Sequence, residues 1–255
     1  MADASRSSPG SRSVSGSGVP AQALSRVRTD VDTALRDDAG GFEAVAVVGR
    51  ACVELLGIDG ASVSVVASAR SRQMLYASDA VSDWIESLQF DFGEGPCYEA
   101  FDSRVPVLAP DLAASATASW PVFAAAVTER QVGAIFAFPV LSGAISLGSV
   151  DLYRVQPGWL ASVQLTTALY LVDIAALALR GISADPVTAD NGILSLSRDR
   201  EQVHQATGMV LAALDVSAAS ALDRLRGYAF ARGCGLEEVA ADIVARRLAP
   251  TELDS

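Results

Sequence analysis

The side chains able to do chemistry are few. A single histidine, His204, serves the whole chain. A His-rich zinc site therefore lacks its ligands, and a Ser-His-Asp triad would have to use that one residue as its base. The cysteines, Cys52, Cys97 and Cys234, lie far apart with no CxxC spacing, and an odd number cannot close a disulfide framework. A reducing cytoplasmic setting is expected, with no metal site and no catalytic residue. The remaining reactive chemistry is cationic, and all of it is arginine: the chain has no lysine.

The arginines are set against an acidic background. The 19 basic residues face 30 acids, for a net charge of -11, so nonspecific polyanion binding by the whole molecule is excluded. The balance is uneven along the chain. Residues 1–197 carry 12 Arg and 21 acids, whereas residues 198–248 carry seven of each, namely Arg198, Arg200, Arg224, Arg226, Arg232, Arg246 and Arg247 against seven acids. A local positive face can form there although the whole chain is acidic.

The elements that must position these residues follow from periodicity. Residues 1–20 are Ser/Gly-rich, lack the apolar run of a signal peptide, and read as a disordered tail. Residues 21–181 read as one α+β sensor domain with flanking helices. Helices are expected over Ala21–Asp37 and Phe42–Gly57, and strands over Ala61–Ser68 and Arg72–Ser78. A helix at Val81–Leu88, a strand at Val105–Leu108 and a helix at Pro121–Gln131 follow. The hairpin Ala134–Leu141 and Ile145–Tyr153 turns at Ser142–Ala144. Trp159–Gly181 is long and apolar, but a central Asp173 costs about 2.5 to 3.5 kcal/mol in a bilayer. A buried or dimer-forming helix, not a membrane span, is expected, with Leu160, Val163, Thr167, Leu171, Ile174 and Ala178 at near-heptad spacing. Residues 182–192, with Asp-Pro and Asn-Gly turn dipeptides, read as a linker. Residues 193–248 then form three helices, at 193–214, 217–232 and 236–248, and residues 249–255 a short tail.

Three segments of that helical module form a pattern: Val203-His204-Gln205-Ala206-Thr207-Gly208-Met209-Val210, then Ala221 to Ala229, then Leu236-Glu237-Glu238-Val239-Ala240. In order and spacing they resemble the ANTAR domain, an all-α three-helix module of transcription antitermination regulators, with Thr207 where the family often carries Lys. The sequence Phe90-Asp91-Phe92-Gly93-Glu94-Gly95-Pro96-Cys97, with Val105-Pro106-Val107, Phe138-Pro139-Val140 and Gly148, is similar to GAF domains joined to ANTAR domains. The resemblance implies a GAF-like antiparallel sheet flanked by helices. It also implies a sensor for a small-molecule or protein signal, and an output that binds hairpin loops of nascent mRNA, as a homodimer. Haem held through an axial histidine is excluded, because residues 1–203 contain none.

The RNA-binding residues expected on this basis are Arg224, Arg226, Tyr228 and Arg232 of the second helix, and Arg200, His204 and Gln205 of the first. Arg224 and Tyr228, four apart, put a cation beside a ring on which an unpaired base can stack. In the sensor, Gly93, Glu94, Gly95 and Cys97 are candidates for a ligand-contacting loop, since glycines let the backbone approach a small molecule. Glu94 would repel a phosphate, and the plainer reading is a turn into a helix starting at Cys97. Two alternatives stay open: a DNA-binding regulator through a helix-turn-helix, and a GAF-fold thiol enzyme using Cys52 and Cys97.

Overall fold

The computed structural model describes residues 21–36, 40–68, 71–115, 119–184 and 198–254; the tail expected at 1–20 and the linker expected at 182–192 fall largely outside them. Five strands form one antiparallel sheet in the order β2-β1-β5-β4-β3. They are β1 (Gly60–Ser68), β2 (Ser71–Ala77), β3 (Val107–Ala109), β4 (Ala134–Ser142) and β5 (Ile145–Arg154). The β4–β5 hairpin closes through Gly143 and Ala144, with Ser142 opposite Ile145 and Gly143 at φ +60°. Gly148 lies against β1 so closely that a Cβ there would sit 1.9 Å from the Ser64 carbonyl oxygen, which accounts for a glycine inside a strand.

Both faces of the sheet are covered. On one lie α1 (Ala21–Ala34), α2 (Gly40–Leu56) and α7 (Ser162–Ala184), over a core that includes Val63, Phe136, Phe138, Val150 and Leu152. On the other lie α3 (Ala80–Phe92), α4 (Pro96–Ser103) and α6 (Pro121–Thr128), with the single turn α5 (Leu112–Ser115). Two helices lie between β2 and β3, the second of them, expected to start at Cys97, beginning at Pro96. Asp79 starts the first by accepting hydrogen bonds from the backbone N–H groups of Val81 and Ser82, at 2.7 and 2.9 Å. Gly93, in the left-handed conformation, ends it.

Helix α7 has the length and apolarity to cross a membrane, yet Thr167, Leu171, Ile174 and Ala178 are buried in the sheet domain, mainly against α2. That corrects the expected dimer seam: four of its six residues are already used within one chain. Outward on α7 lie Val163, Thr166, Leu169, Tyr170, Asp173 and Arg180.

The helical module consists of α8 (Arg198–Leu214), α9 (Ala218–Arg232) and α10 (Leu236–Val244), closed by a 3-10 helix at Pro250–Asp254 in the segment read as a tail. Ser217 caps α9 through the Ser220 N–H at 3.1 Å. Val203, Ala206 and Val210 meet Leu222, Leu225 and Ala229 and then Leu236, Val239, Ala240 and Ile243 in a core of their own. One further buried residue belongs to this core and comes from the sheet domain: Phe90, near the end of α3, 3% exposed.

Candidate nucleic-acid interface and sensor interior

Helix α9 is the element on which most of the expected RNA-binding residues lie. Residues 221, 222, 225 and 229 turn into the module core. Arg224, Tyr228 and Arg232, spaced by four, share one side and are half-buried, half-buried and exposed. The Arg232 guanidinium lies over the Tyr228 ring, 4.9 Å from its centroid, so the cation beside the aromatic is Arg232, with Arg224 held by the Ser220 hydroxyl one turn back. His204 and Gln205 are exposed on α8, while the side chain of Arg200 lies outside the described residues.

Arg226 departs from this group. Two residues along an α-helix is a rotation of about 200°, so its side chain leaves α9 opposite Arg224. It is 8% exposed and reaches into the sheet domain. Its Nε and Nη2 donate to the Phe90 carbonyl at 3.0 and 2.6 Å, and Nη2 lies 3.4 Å from the Tyr98 hydroxyl. Asp223 accepts from Nη1 at 3.5 Å. Arg226, expected among the RNA-binding residues of the second helix, is thus turned away from Arg224 and Tyr228 and into the sheet domain.

In the sheet domain the loop read as a ligand cradle has structural duties. The Gly93 N–H donates to the Gln89 carbonyl, and the Glu94 carboxylate accepts from the Val122 and Phe123 N–H groups, both at 2.8 Å, capping α6. Gly95 precedes α4 with φ +137°, and the Cys97 N–H donates to the Gln89 side chain at 2.9 Å. Burial pushes the Cys97 thiol up and the Cys52 thiol up to about 12. Cys52 packs with the core under α2, whereas Cys97 sits on α4 across the sheet. The dithiol of the thiol-enzyme alternative would have to form through the sheet.

A polar cluster that periodicity did not find fills the interior beneath α3 and α4. Arg72, 3% exposed, bonds the Ser64 hydroxyl, donates to Ser149 at 2.6 Å and pairs with Glu86 at 3.7 Å, also buried. Gln89 donates to the Asp151 carboxylate at 2.9 Å and so joins α3, α4 and β5. Burial, and next the Glu86 charge, raise the Asp151 carboxyl to about 7, against the opposing pull of Arg72 and the hydrogen bonds from Gln89 and Ser149. Asp151 lines a void of about 10 Å³. The available signal was the alternation of Ser62-Val63-Ser64-Val65 and Ser149-Val150-Asp151-Leu152, whose polar face also lies under helices.

Comparison with protein families matches residues 197–244 to the ANTAR domain. Residues 197–244 are an ANTAR domain. The sheet domain has the GAF fold. It is similar to the GAF domain of a phosphoenolpyruvate-protein phosphotransferase from Coxiella burnetii, with a TM-score of 0.51 and 14% identity over 68% of this chain and 98% of that one. It is also similar to the GAF domain of an Acinetobacter phosphoenolpyruvate-protein phosphotransferase, with a TM-score of 0.50 and 11% identity over 64% and 93%. At such identities the likeness is one of fold. No curated protein matches the chain. The first two ANTAR helices thus carry the expected His204, Gln205, Arg224, Tyr228 and Arg232, while Arg226 lies at the junction with the GAF fold.

Proposed function

We propose that this chain is a signal-responsive transcription antitermination regulator, in which the GAF-fold sensor controls ANTAR output on hairpin loops of nascent mRNA. The observation that carries the reading is the ANTAR match at residues 197–244, on a module whose α9 holds Arg224, Tyr228 and Arg232 along one side. A ring with a cation on it suits an unpaired base flanked by phosphate. Binding would stabilise one RNA structure over the terminator that competes with it, by mass action and with no covalent step. The acidity of residues 1–197 disfavours RNA there, which leaves RNA to the output module.

The regulator acts in the cytoplasm as a homodimer, presenting two ANTAR modules, with the outward stripe of α7 as the pairing surface. Its Val163, Thr166, Tyr170 and Asp173 are spaced by three and four, with Arg180 seven residues further on, the periodicity that recurs across a two-helix seam. The test is crosslinking in cells followed by sequencing of the RNA that co-purifies. Enrichment of hairpins upstream of terminators supports the reading; recovery of duplex DNA fragments, or of no nucleic acid, refutes it.

A further inference from the structure

We propose that Arg226, Phe90 and Tyr98 form an autoinhibitory latch, in which the sensor holds a guanidinium and a helix face of the output module until a signal releases them. The inference rests on the RNA-binding reading above and names how that activity is restrained. Each partner completes the other. The Phe90 carbonyl is among the last four of α3, which have no acceptor role inside the helix and lie at the negative end of its dipole. Arg226 donates to it through two nitrogens. In return the Phe90 ring enters the core of the ANTAR module, edge-on to His204 with centroids 6.4 Å apart. Two expected RNA-binding residues, Arg226 and His204, are thereby engaged by the sensor.

The approach is close. A Cβ on Gly93 would stand 2.8 Å from Arg226 Nη1, so a side chain there displaces the guanidinium, and the left-handed φ of +66° strains that side chain as well. Around it the contact is thin: a crevice of about 270 Å³ lies between Phe92 and Val122 of the sensor and Arg226 and Phe230 of α9. Phe230 is 67% exposed beside it.

The latch also touches the sensor interior. Tyr98 meets Arg226 through its hydroxyl and carries the Arg72 guanidinium 5.3 Å from its ring centroid. Gln89, next to Phe90, bonds both Asp151 and the Cys97 N–H. A change of charge or occupancy around Arg72 and Asp151 therefore reaches the two residues that hold Arg226. With the latch closed, RNA and sensor compete for one guanidinium, and closing lowers RNA affinity by the fraction of molecules that are open.

The test compares the full-length chain with Phe90→Ala, which removes the plug, and Gly93→Ala, which crowds the guanidinium, and neither is an RNA-binding residue. Binding is measured to a labelled pool of hairpin RNAs with one stem and a randomised loop, and amide hydrogen exchange is followed in α3 and α9. Faster exchange at the end of α3 and in α9, together with ten- to hundredfold tighter RNA binding in both variants, is the expected result. Faster exchange with unchanged RNA affinity overturns the latch and leaves RNA binding intact. Unchanged exchange in both variants overturns it as well, because the contact would then not be what joins the units. Faster exchange with no RNA bound by wild type or variants removes the RNA-binding reading itself, and the latch with it.

Discussion

Phe90 and Arg226, 136 residues apart, exchange places: the ring of the first is buried in the helical module, and the guanidinium of the second rests on the carbonyl of the first, 5.5 Å from that ring. A buried hydrogen bond to a charged group contributes about 1.5 to 3 kcal/mol. Arg226→Ala is accordingly expected to destabilise the chain by about that amount in denaturant melts. Arg226→Lys should recover only part of it, since an ammonium lacks the fork that meets one carbonyl with two nitrogens.

Tyr228 and Arg232 separate two kinds of RNA contact. A stacked base is worth about 1 to 3 kcal/mol by alanine substitution, so Tyr228→Ala should weaken binding to hairpin loops roughly five- to two-hundredfold. Because Tyr228 packs partly against the module core, its circular dichroism and melt must be recorded beside the binding. Arg232→Ala should lower affinity for hairpin and paired RNA alike and reduce the salt slope by about one unit. Equal affinity of wild type for hairpin and duplex would contradict loop recognition.

Asp151 sets a pH dependence with a definite sign. Its folded value is raised to about 7, whereas an unfolded aspartate titrates near about 3.9. Between those values the native state binds the extra proton, so this group lowers stability as pH rises from about 4 to about 7. Asp79 acts below that window and with opposite sign: burial opposes its charge, but hydrogen bonds from Ser78, Ser82 and Val81 hold it below its ordinary value. Melting temperatures of wild type and Asp151→Asn from pH 4.5 to 8 should converge toward the acid end and diverge toward the alkaline end, with the variant the more stable there.

The thiols should react unequally. Cys52 and Cys97 are buried with raised pKa values, and Cys234 is half-exposed at the end of α9. A thiol reagent at pH 8 should modify one cysteine in the native chain and three after unfolding. Rapid native labelling of Cys97 would revive the thiol-enzyme alternative.

Pairing through α7 is tested by light scattering at micromolar concentration. Wild type should be a dimer, and Tyr170→Arg a monomer with an unchanged melting profile, because Tyr170 faces outward while Leu171 beside it holds the core. A wild-type monomer would remove the pairing.

The amino-acid sequence by itself determined the elements and much of the output module. Alternation at Val63 and Val65 marks a strand with one apolar face. Spacing by three and four at Leu222, Leu225 and Ala229 marks the buried side of α9, and Ser217 its start. These are local properties, set by the two-residue and 3.6-residue periods of the backbone. The ANTAR motifs belong to the same class, because three short segments in fixed order are readable without knowing where they pack. What only the tertiary structure decided is which polar faces meet water. Ser64, Ser149 and Asp151 lie on the side of their strands that alternation assigns to solvent, and α3 and α4 cover it. Arg226 has the sequence surroundings of a surface arginine, yet it is buried where it donates to a carbonyl at the end of α3, far away in the chain. Burial of this kind depends on how segments distant in the chain dock. No period within either helix carries that information.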